Sequence, residues 1–183
     1  MILTKTQLRA LALRSRYNLP DQSYCDELIF KRLIDTDIYK KSSVILSYVS
    51  KSDEIDTRRL IEYSFYSGKT VYCPRTEGAR IEFYRIDSFD DLSTGKFGIL
   101  EPQTNDRYNY DDNAICITPG LMFDEDGYRI GYGNGYYDRY FFENDCFSVG
   151  LCRSEFFTEF LPYDQYDMPV NVIITERGIT FAS

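Results

Sequence analysis

The sequence predicts an α/β protein with a three-layer α/β/α sandwich built around a largely parallel sheet. Short, nearly continuous apolar strands such as Val44–Val49 and Ala114–Thr118 alternate with helix-forming segments. Strands of this kind are buried on both faces of a sheet by covering helices. The chain has 183 residues and no segment of linker composition, which predicts one α/β domain over residues 1–183 that includes an N-terminal helical segment.

Four helices are predicted from helix-forming composition and from residues that start or stop helices. Pro20 is expected to end the first helix, Asp21 to cap the second, and Gly68 to close the third. The predicted helices are Leu3–Tyr17, from Asp21 to about Tyr39, from about Asp56 to Tyr66, and Tyr136–Phe142.

Seven strands are predicted from short apolar runs and from alternation of apolar and polar residues. Pro74 lacks an amide donor and is expected to stop the strand that begins at Thr70. The polar segment from Gln103 to Asp112 is expected to be an exposed loop. The predicted strands are Val44–Val49, Thr70–Cys73, Ile81–Ile86, Ala114–Thr118, Ser148–Leu151, Val172–Thr175 and Ile179–Phe181.

The composition is that of an ordinary globular protein, with 43% hydrophobic and 27% charged residues. No apolar run approaches the ~20 residues needed to span a bilayer, and the N-terminus lacks the apolar stretch of a secretory signal. A formal net charge of −8 disfavours binding to nucleic acid, which attracts basic proteins. We therefore expect no membrane and no nucleic-acid partner.

Basic residues are concentrated at the N-terminus, where Lys5, Arg9, Arg14 and Arg16 occur in the first twenty residues without any acid. Such a segment suits a targeting peptide, a helix that faces an anionic ligand, or a solvated basic face. Because Lys5 and Arg9 are four residues apart, they would share one face of a helix. The sequence leaves these possibilities open.

The cysteine and histidine counts restrict both the compartment and the chemistry. Five cysteines without Cys-x-x-Cys spacing predict reduced thiols and a cytoplasmic location. The sequence has no histidine, which excludes Ser-His-Asp and Cys-His catalysis and histidine metal sites. Any metal is therefore expected to be a hard cation held by carboxylates, which indicates Mg²⁺.

The segment from Arg129 to Asp138 is the strongest candidate for a ligand site. Gly131, Gly133 and Gly135 alternate in it, so the backbone is expected to be irregular and its N–H groups free to converge on an anion. A helix starting after Gly135 would add its dipole. The pattern is neither a dinucleotide fingerprint nor a Walker A loop, and a glycine-rich turn that packs tyrosines is the alternative.

Three acidic residues stand near predicted strand ends. Asp138 closes the glycine-rich segment and is a candidate Mg²⁺ ligand, or else a helix-surface carboxylate paired with Arg139. Asp167 precedes a late strand and is a second candidate, with a solvated loop acid as the alternative. Among the carboxylates of Ser52–Asp56, Asp56 suits a helix cap and Glu54 suits ligand recognition.

In this order these segments resemble the 5-formyltetrahydrofolate cyclo-ligase family, also called methenyltetrahydrofolate synthetases. The resemblance covers nearly the whole chain and is most specific in the glycine-rich segment and the preceding Pro-Gly-Leu. The matching segments are Lys5–Arg9, Ser52–Thr57, Phe97–Pro102, Pro119–Asp124, Arg129–Asp138 and Asp167–Thr175.

The resemblance implies an enzyme of folate one-carbon metabolism. It would use Mg²⁺ and ATP to convert 5-formyltetrahydrofolate, which can be polyglutamylated, to 5,10-methenyltetrahydrofolate, ADP and phosphate. It also implies the fold shared with sugar-phosphate isomerases and CoA transferases. No covalent protein intermediate is needed, because phosphoryl transfer depends mainly on positioning and charge neutralisation.

The resemblance also implies a role for individual residues of this sequence. Arg129, Tyr136 and Asp138 are implied to be catalytic, and Asp138 and Asp167 to hold the metal. Val49 and Glu54 are implied to bind the folate, and Phe123, beside the loop, is a further folate candidate. The implied nucleotide-binding residues are Lys5, Arg9, Arg129, Ile130, Gly131, Tyr132, Gly133, Asn134, Gly135, Tyr136 and Tyr137.

Four positions depart from the pattern of many relatives. Tyr132 and Asn134 stand where a basic residue or glycine is common, Tyr166 where histidine is common, and Asn171 where aspartate is frequent. These departures concern nucleotide affinity rather than the reaction. Two alternative functions remain: a sugar-phosphate isomerase-like enzyme, and a non-catalytic folate- or nucleotide-binding protein.

Overall fold

The computed structural model describes residues 3–16, 19–95, 98–111 and 113–182. The helices are α1 (Lys5–Arg16), α2 (Gln22–Asp35), α3 (Asp37–Lys41), α4 (Arg58–Tyr66) and α5 (Tyr136–Glu143). The strands are β1 (Val44–Ser47), β2 (Thr70–Glu77), β3 (Arg80–Ile86), β4 (Leu92–Thr94), β5 (Leu100–Pro102), β6 (Ala114–Thr118), β7 (Met122–Asp124), β8 (Arg129–Ile130), β9 (Phe147–Leu151), β10 (Phe157–Thr158), β11 (Val172–Ile174) and β12 (Ile179–Phe181).

A seven-stranded sheet forms the centre, in the order β12-β11-β9-β6-β1-β2-β3. Its five inner strands are parallel to their inner neighbours, and the edge strands β3 and β12 are antiparallel. Two small sheets, β10-β7-β8 and β4-β5, accompany it. The prediction of a largely parallel sheet is confirmed.

Helices cover both faces of this sheet. Neighbouring residues of a strand point to opposite faces, and in β1 Ile45 packs in one hydrophobic cluster and Leu46 in another. The Ile45 cluster contains residues of α2, α3 and α4, whereas the Leu46 cluster contains Tyr140 of α5. Ala12 of α1 packs in a third cluster, together with Phe123 and Ile173. These layers confirm the three-layer α/β/α sandwich.

The predicted second helix is wrong in two respects. It is interrupted at Thr36, whose extended backbone ends α2 and whose hydroxyl accepts a hydrogen bond from the Tyr39 N–H to cap α3. Asp21 stands at the N-terminus of α2, but its backbone is left-handed (φ 55°) and its side chain caps no N–H. The predicted end of the first helix at Tyr17 lies outside the described residues.

The prediction that the strand beginning at Thr70 stops at Pro74 is wrong. This strand, β2, continues to Glu77. β1 pairs with β2 only from Thr70 to Tyr72, whereas β3 pairs with β2 along its remaining length. Beyond Tyr72 the strand therefore has one neighbour, and a missing amide donor is tolerated. Conversely, β1 ends at Ser47 rather than Val49.

Within the described ranges, no helix combines the length and the apolar character required to cross a membrane.

Candidate active site

A cavity of about 540 Å³ lies at the carboxyl edge of the parallel strands. β1 and β6 are parallel neighbours, so the segments that follow them, Tyr48–Glu54 and Pro119–Gly120, emerge at the same edge. Open α/β sheets bind their ligands at this edge. α1 and the segment after β8 complete the wall of the cavity.

Fifteen of the candidate residues predicted from the sequence line this one cavity. They come from α1, from the segment after β1, from the glycine-rich segment and from the loop before β11. They are Lys5, Arg9, Val49, Glu54, Arg129, Ile130, Gly131, Tyr132, Gly133, Asn134, Gly135, Tyr136, Tyr137, Asp138 and Asp167.

Phe123 is the exception: the structure gives no support to its prediction as a folate-binding residue. Its side chain is fully buried in the cluster beneath α1 and lines no part of the cavity. A Cβ added to Gly120 or Gly150 would lie 2.5 Å from its ring. The ring therefore fills the space that these two glycines leave, and Phe123 is a core residue.

The segment Gly131–Gly135 has the irregular backbone that its glycines predict. Gly133 has φ 102° and Gly135 has φ 62°, both in the left-handed region that favours glycine. Gly135 is also the N-terminal cap of α5. None of the five N–H groups from Gly131 to Gly135 donates a hydrogen bond to a described residue. The segment thus offers consecutive unpaired donors next to a helix N-terminus, as an anion site requires.

Basic side chains hold this segment in place. Arg9 Nε donates to the Gly131 carbonyl at 2.7 Å, and Arg139 Nη2 donates to the Asn134 carbonyl at 2.7 Å. α1 is therefore part of the site, because its Arg9 side chain reaches the glycine-rich segment directly. This contact favours the interpretation of the basic N-terminus as a helix that faces an anionic ligand.

Two further cations of the cavity are paired with acids. Arg129, whose side chain is 5% exposed, donates to Asp138 Oδ1 at 2.8 Å and to the Met168 carbonyl at 2.6 Å. Lys5 donates to both Asp164 and Asp167. Burial alone would lower the pKa of Lys5, but the hydrogen bonds and charges of these two carboxylates raise it above its ordinary value. Lys5 is therefore fully charged at neutral pH.

Asp138 and Asp167 both line the cavity, and the Asp138 carboxylate contacts the backbone that follows Asp167. The Met168 N–H, which follows Asp167, donates to Asp138 Oδ1 at 3.2 Å. No cluster of three or more metal-binding side chains occurs in the described part of the chain. Two carboxylates nevertheless fit Mg²⁺, which commonly binds one or two carboxylates and takes its other ligands from phosphates and water.

The segment after β1 forms another part of the wall and meets the glycine-rich segment, since the Tyr132 hydroxyl donates to Asp53 Oδ2 at 3.5 Å. Glu54 Oε2 accepts a hydrogen bond from the Lys51 N–H at 2.8 Å. Arg153, which is buried and forms two hydrogen bonds with Asp26 at 2.8 and 2.9 Å, also donates to the Glu54 carbonyl. The Glu54 backbone is thus fixed from two directions while its carboxylate lines the cavity.

Tyr137 lines the cavity and carries an unsatisfied polar group. Its hydroxyl is buried and has no hydrogen-bond partner among the described residues. Burial raises its pKa well above the ordinary value for tyrosine. The hydroxyl therefore remains protonated at neutral pH, as a buried donor whose bond is not made within the described structure.

Several cavity residues were not predicted from the sequence, among them Tyr48, Lys51 and Glu101. The position of Lys51 in the sequence could have indicated a cavity residue, because Lys51 stands between Val49 and Glu54 in the segment after β1. Glu101 is buried and accepts a hydrogen bond from the Thr76 N–H at 3.2 Å, which no local pattern indicates.

A second cavity of about 910 Å³ adjoins the first, and Val49, Lys51 and Glu54 line both.

The fold and the site define an α/β protein with a cavity at the carboxyl edge of a parallel sheet, lined in part by a glycine-rich segment with unpaired N–H groups. The sequence model of the 5-formyltetrahydrofolate cyclo-ligase family matches residues 3–176. The chain therefore belongs to this family.

Relatives of known name agree with this assignment. A probable 5-formyltetrahydrofolate cyclo-ligase of Schizosaccharomyces pombe is 31% identical, with 98% of each chain covered. The 5-formyltetrahydrofolate cyclo-ligase of Mus musculus is 28% identical, over 94% of this chain and 89% of the mouse protein.

A solved structure has the same fold and appreciable sequence identity. The NMR structure of Aquifex aeolicus 5,10-methenyltetrahydrofolate synthetase superposes with a TM-score of 0.87 at 34% identity, covering 98% of this chain and 93% of that one. The Mycoplasma pneumoniae 5,10-methenyltetrahydrofolate synthetase superposes with a TM-score of 0.76 at 21% identity, covering 95% and 99%, and supports the fold.

Proposed function

We propose that this protein catalyses the ATP-dependent cyclisation of 5-formyltetrahydrofolate to 5,10-methenyltetrahydrofolate, with release of ADP and phosphate. Family membership supports the reaction class. The observation that carries the proposal for this chain is the single cavity. Five unpaired N–H groups from Gly131 to Gly135 and Glu54 of the segment after β1 line the same cavity.

The nucleotide phosphates are assigned to the glycine-rich segment. Its unpaired N–H groups and the N-terminus of α5 would bind phosphate oxygens, and Arg9 lies beside Gly133, within 3.4 Å of a Cβ built there. Arg129 and Tyr136 stand at the two ends of this segment and would orient the terminal phosphate. Their role is positioning and charge neutralisation, which phosphoryl transfer requires most.

The folate is assigned to the wall formed by Val49 and Glu54. The Glu54 carboxylate can accept hydrogen bonds from the N–H groups of a pterin ring, and the buried Tyr137 hydroxyl can donate one. The formyl oxygen would then attack the γ-phosphorus of ATP and displace ADP. The neighbouring N10 adds to the activated carbon, N10 loses its proton, and phosphate leaves. Because ring closure is intramolecular, bound geometry supplies much of its rate.

Asp138 and Asp167 would hold a Mg²⁺ ion on the nucleotide phosphates. Such an ion neutralises phosphate charge when bound. The two carboxylates fit this role because they lie together in the cavity and can share the ion with phosphate oxygens. A cytoplasmic location is also part of the proposal, supported by the absence of disulfides among the described cysteines.

Replacement of Gly131 by alanine is expected to raise the KM for ATP about tenfold, with little change in the KM for folate. The reason is that the added methyl group would obstruct the bound phosphate, and a tenfold effect corresponds to ~1.4 kcal/mol. A Cβ at Gly131 would meet no protein atom within 4 Å, and its φ is not left-handed, so the protein itself tolerates the change. Gly133→Ala and Gly135→Ala are less clean tests, because both positions need the left-handed backbone.

Gly178→Ala is the matched control for this measurement. Gly178 also has open space around its Cβ position and no left-handed φ, but it lies in the turn before β12. Steady-state kinetics with each substrate varied should separate the two variants. An unchanged KM for ATP in Gly131→Ala would contradict phosphate binding at this segment.

Phosphate release distinguishes the proposed reaction from the two alternatives. Release should require ATP and 5-formyltetrahydrofolate together and continue for many equivalents per protein molecule. A sugar-phosphate isomerase would instead convert a sugar phosphate without ATP, and a non-catalytic binding protein would release no more than one equivalent.

A further inference from the structure

We propose that Lys51 is a further substrate-binding residue, whose ammonium group binds the phosphoryl group as it passes from ATP to the folate. The proposal rests on the proposed function and goes beyond the residues that the family resemblance implies. Lys51 lies in the segment after β1, in the wall shared by the two cavities.

The position of the Lys51 ammonium follows from two contacts. The backbone N–H of Lys51 donates to Glu54 Oε2 at 2.8 Å, which fixes the turn. The side-chain Nζ lies 5.0 Å from the centre of the Tyr132 ring. Tyr132 belongs to the glycine-rich segment, and its hydroxyl donates to Asp53 at 3.5 Å, so the ammonium lies where the proposed folate and phosphate walls meet.

Lys51 is also a cation without an acidic partner. Lys5 and Arg129 each form ion pairs within the cavity, whereas Arg9 and Lys51 form none with a described carboxylate. Among the described residues, Lys51 Nζ makes no hydrogen bond or ion pair and lies over the Tyr132 ring. A partly buried ammonium that loses water on ligand binding is stabilised by an anion from that ligand.

The arrangement of the two unpaired cations favours a phosphoryl group over the carboxylate tail of a folate. Arg9 lies against Gly131 and Gly133, and Lys51 lies against Tyr132 between them. The segment Gly131–Gly135 has no cation of its own. Lys51 therefore supplies positive charge on the side of the phosphates that faces the folate, where negative charge moves during transfer.

The larger cavity offers few unpaired cations to a carboxylate tail. Lys51 shares it with three arginines and four carboxylates. Two of these arginines, Arg59 and Arg153, are paired with Glu27 and Asp26. An anionic tail would find few free partners there.

The kinetic test compares Lys51→Met, Lys51→Arg and the control Lys41→Met. Methionine keeps most of the side-chain length without the charge, and Lys41 is an exposed residue of α3. We expect Lys51→Met to lower kcat about a hundredfold, as loss of one transition-state contact does, and to leave the KM for folate nearly unchanged. Lys51→Arg should recover part of kcat, and Lys41→Met should match the unmodified enzyme.

A second measurement does not depend on turnover. Trace acetylation followed by mass spectrometry reports how accessible each lysine amine is, with and without Mg²⁺ and nucleotide. ATP should protect Lys51 and AMP should not, because AMP lacks the β- and γ-phosphates, while Lys41 should be labelled equally in all samples. If the unmodified protein proves inactive, the proposed function fails and the labelling result alone decides the role of Lys51.

Two results would overturn the inference. The first is a Lys51→Met enzyme with unchanged kcat, together with equal labelling of Lys51 in ATP and AMP. The second is a rise in the KM for folate at constant kcat, which would assign the ammonium to a folate carboxylate.

Discussion

Replacement of Asp138 by asparagine is expected to lower turnover by more than a hundredfold while the protein remains folded. The loss of one contact used in the transition state typically costs ~3 kcal/mol or more, which corresponds to this factor. Asp138 Oδ1 accepts hydrogen bonds from Arg129 Nη2 at 2.8 Å and from the Met168 N–H at 3.2 Å. An amide oxygen can keep both bonds, so the principal change is the loss of negative charge.

Removal of that charge would act in two ways. It would weaken the proposed Mg²⁺ site, and it would leave the nearly buried Arg129 guanidinium without its carboxylate partner. Titration with Mg²⁺ or Mn²⁺ separates these effects, because excess metal should partly restore turnover only if metal affinity was lost. Asp167→Asn should act in the same direction but less strongly, since Lys5 also pairs with Asp164.

Asp145→Asn is a suitable control, because it removes the same charge at an exposed position just after α5. Thermal unfolding should show that all three variants are folded. Near-normal turnover of Asp138→Asn at limiting Mg²⁺ would show that Asp138 neither holds the metal nor positions Arg129 for catalysis.

Replacement of Glu54 by glutamine is expected to lower kcat/KM for folate about a hundredfold or more, as happens when a site built to bind substrate N–H groups loses its acceptor. The KM for ATP should change less, because Glu54 belongs to the segment after β1 and not to the glycine-rich segment assigned to the phosphates. The variant should fold, since a glutamine oxygen can still accept the hydrogen bond from the Lys51 N–H.

Glu62→Gln on the exposed face of α4 is the matched control for Glu54→Gln. Kinetics at varied folate and fixed saturating ATP provide the measurement. An equal loss of affinity for both substrates would indicate that Glu54 supports the cavity as a whole instead of recognising the folate.

The parts of the site that were predicted from the sequence are those in which local chemistry is sufficient. Glycine weakens helices and strands alike, so Gly131, Gly133 and Gly135 indicated an irregular segment whose N–H groups could bind an anion, without any knowledge of the fold. The apolar strands likewise indicated a buried parallel sheet, and the carboxyl edge of that sheet is where the cavity lies.

The structure differs from the sequence-based expectations where the direction of a side chain or the pairing of a strand depends on distant residues. Phe123 follows β6 in the chain and stands next to the site in sequence. Its ring nevertheless packs in the core, in the space left by the missing side chains of Gly120 and Gly150. Pro74 appeared to end a strand because the sequence does not show that β1 stops pairing at Tyr72. Lys51 was overlooked because its importance depends on Tyr132, far along the chain, folding beneath its ammonium.

The formation of 5,10-methenyltetrahydrofolate by the purified protein is the most direct test of the proposed function. The measurement follows the absorbance of the product continuously, with 5-formyltetrahydrofolate present and with ATP and Mg²⁺ each included or omitted. We expect steady, repeated turnover in the complete mixture and none when ATP is omitted. Product formation at the same rate without ATP, or no product in the complete mixture from a folded protein, would contradict the assignment of this cavity to ATP-dependent cyclisation.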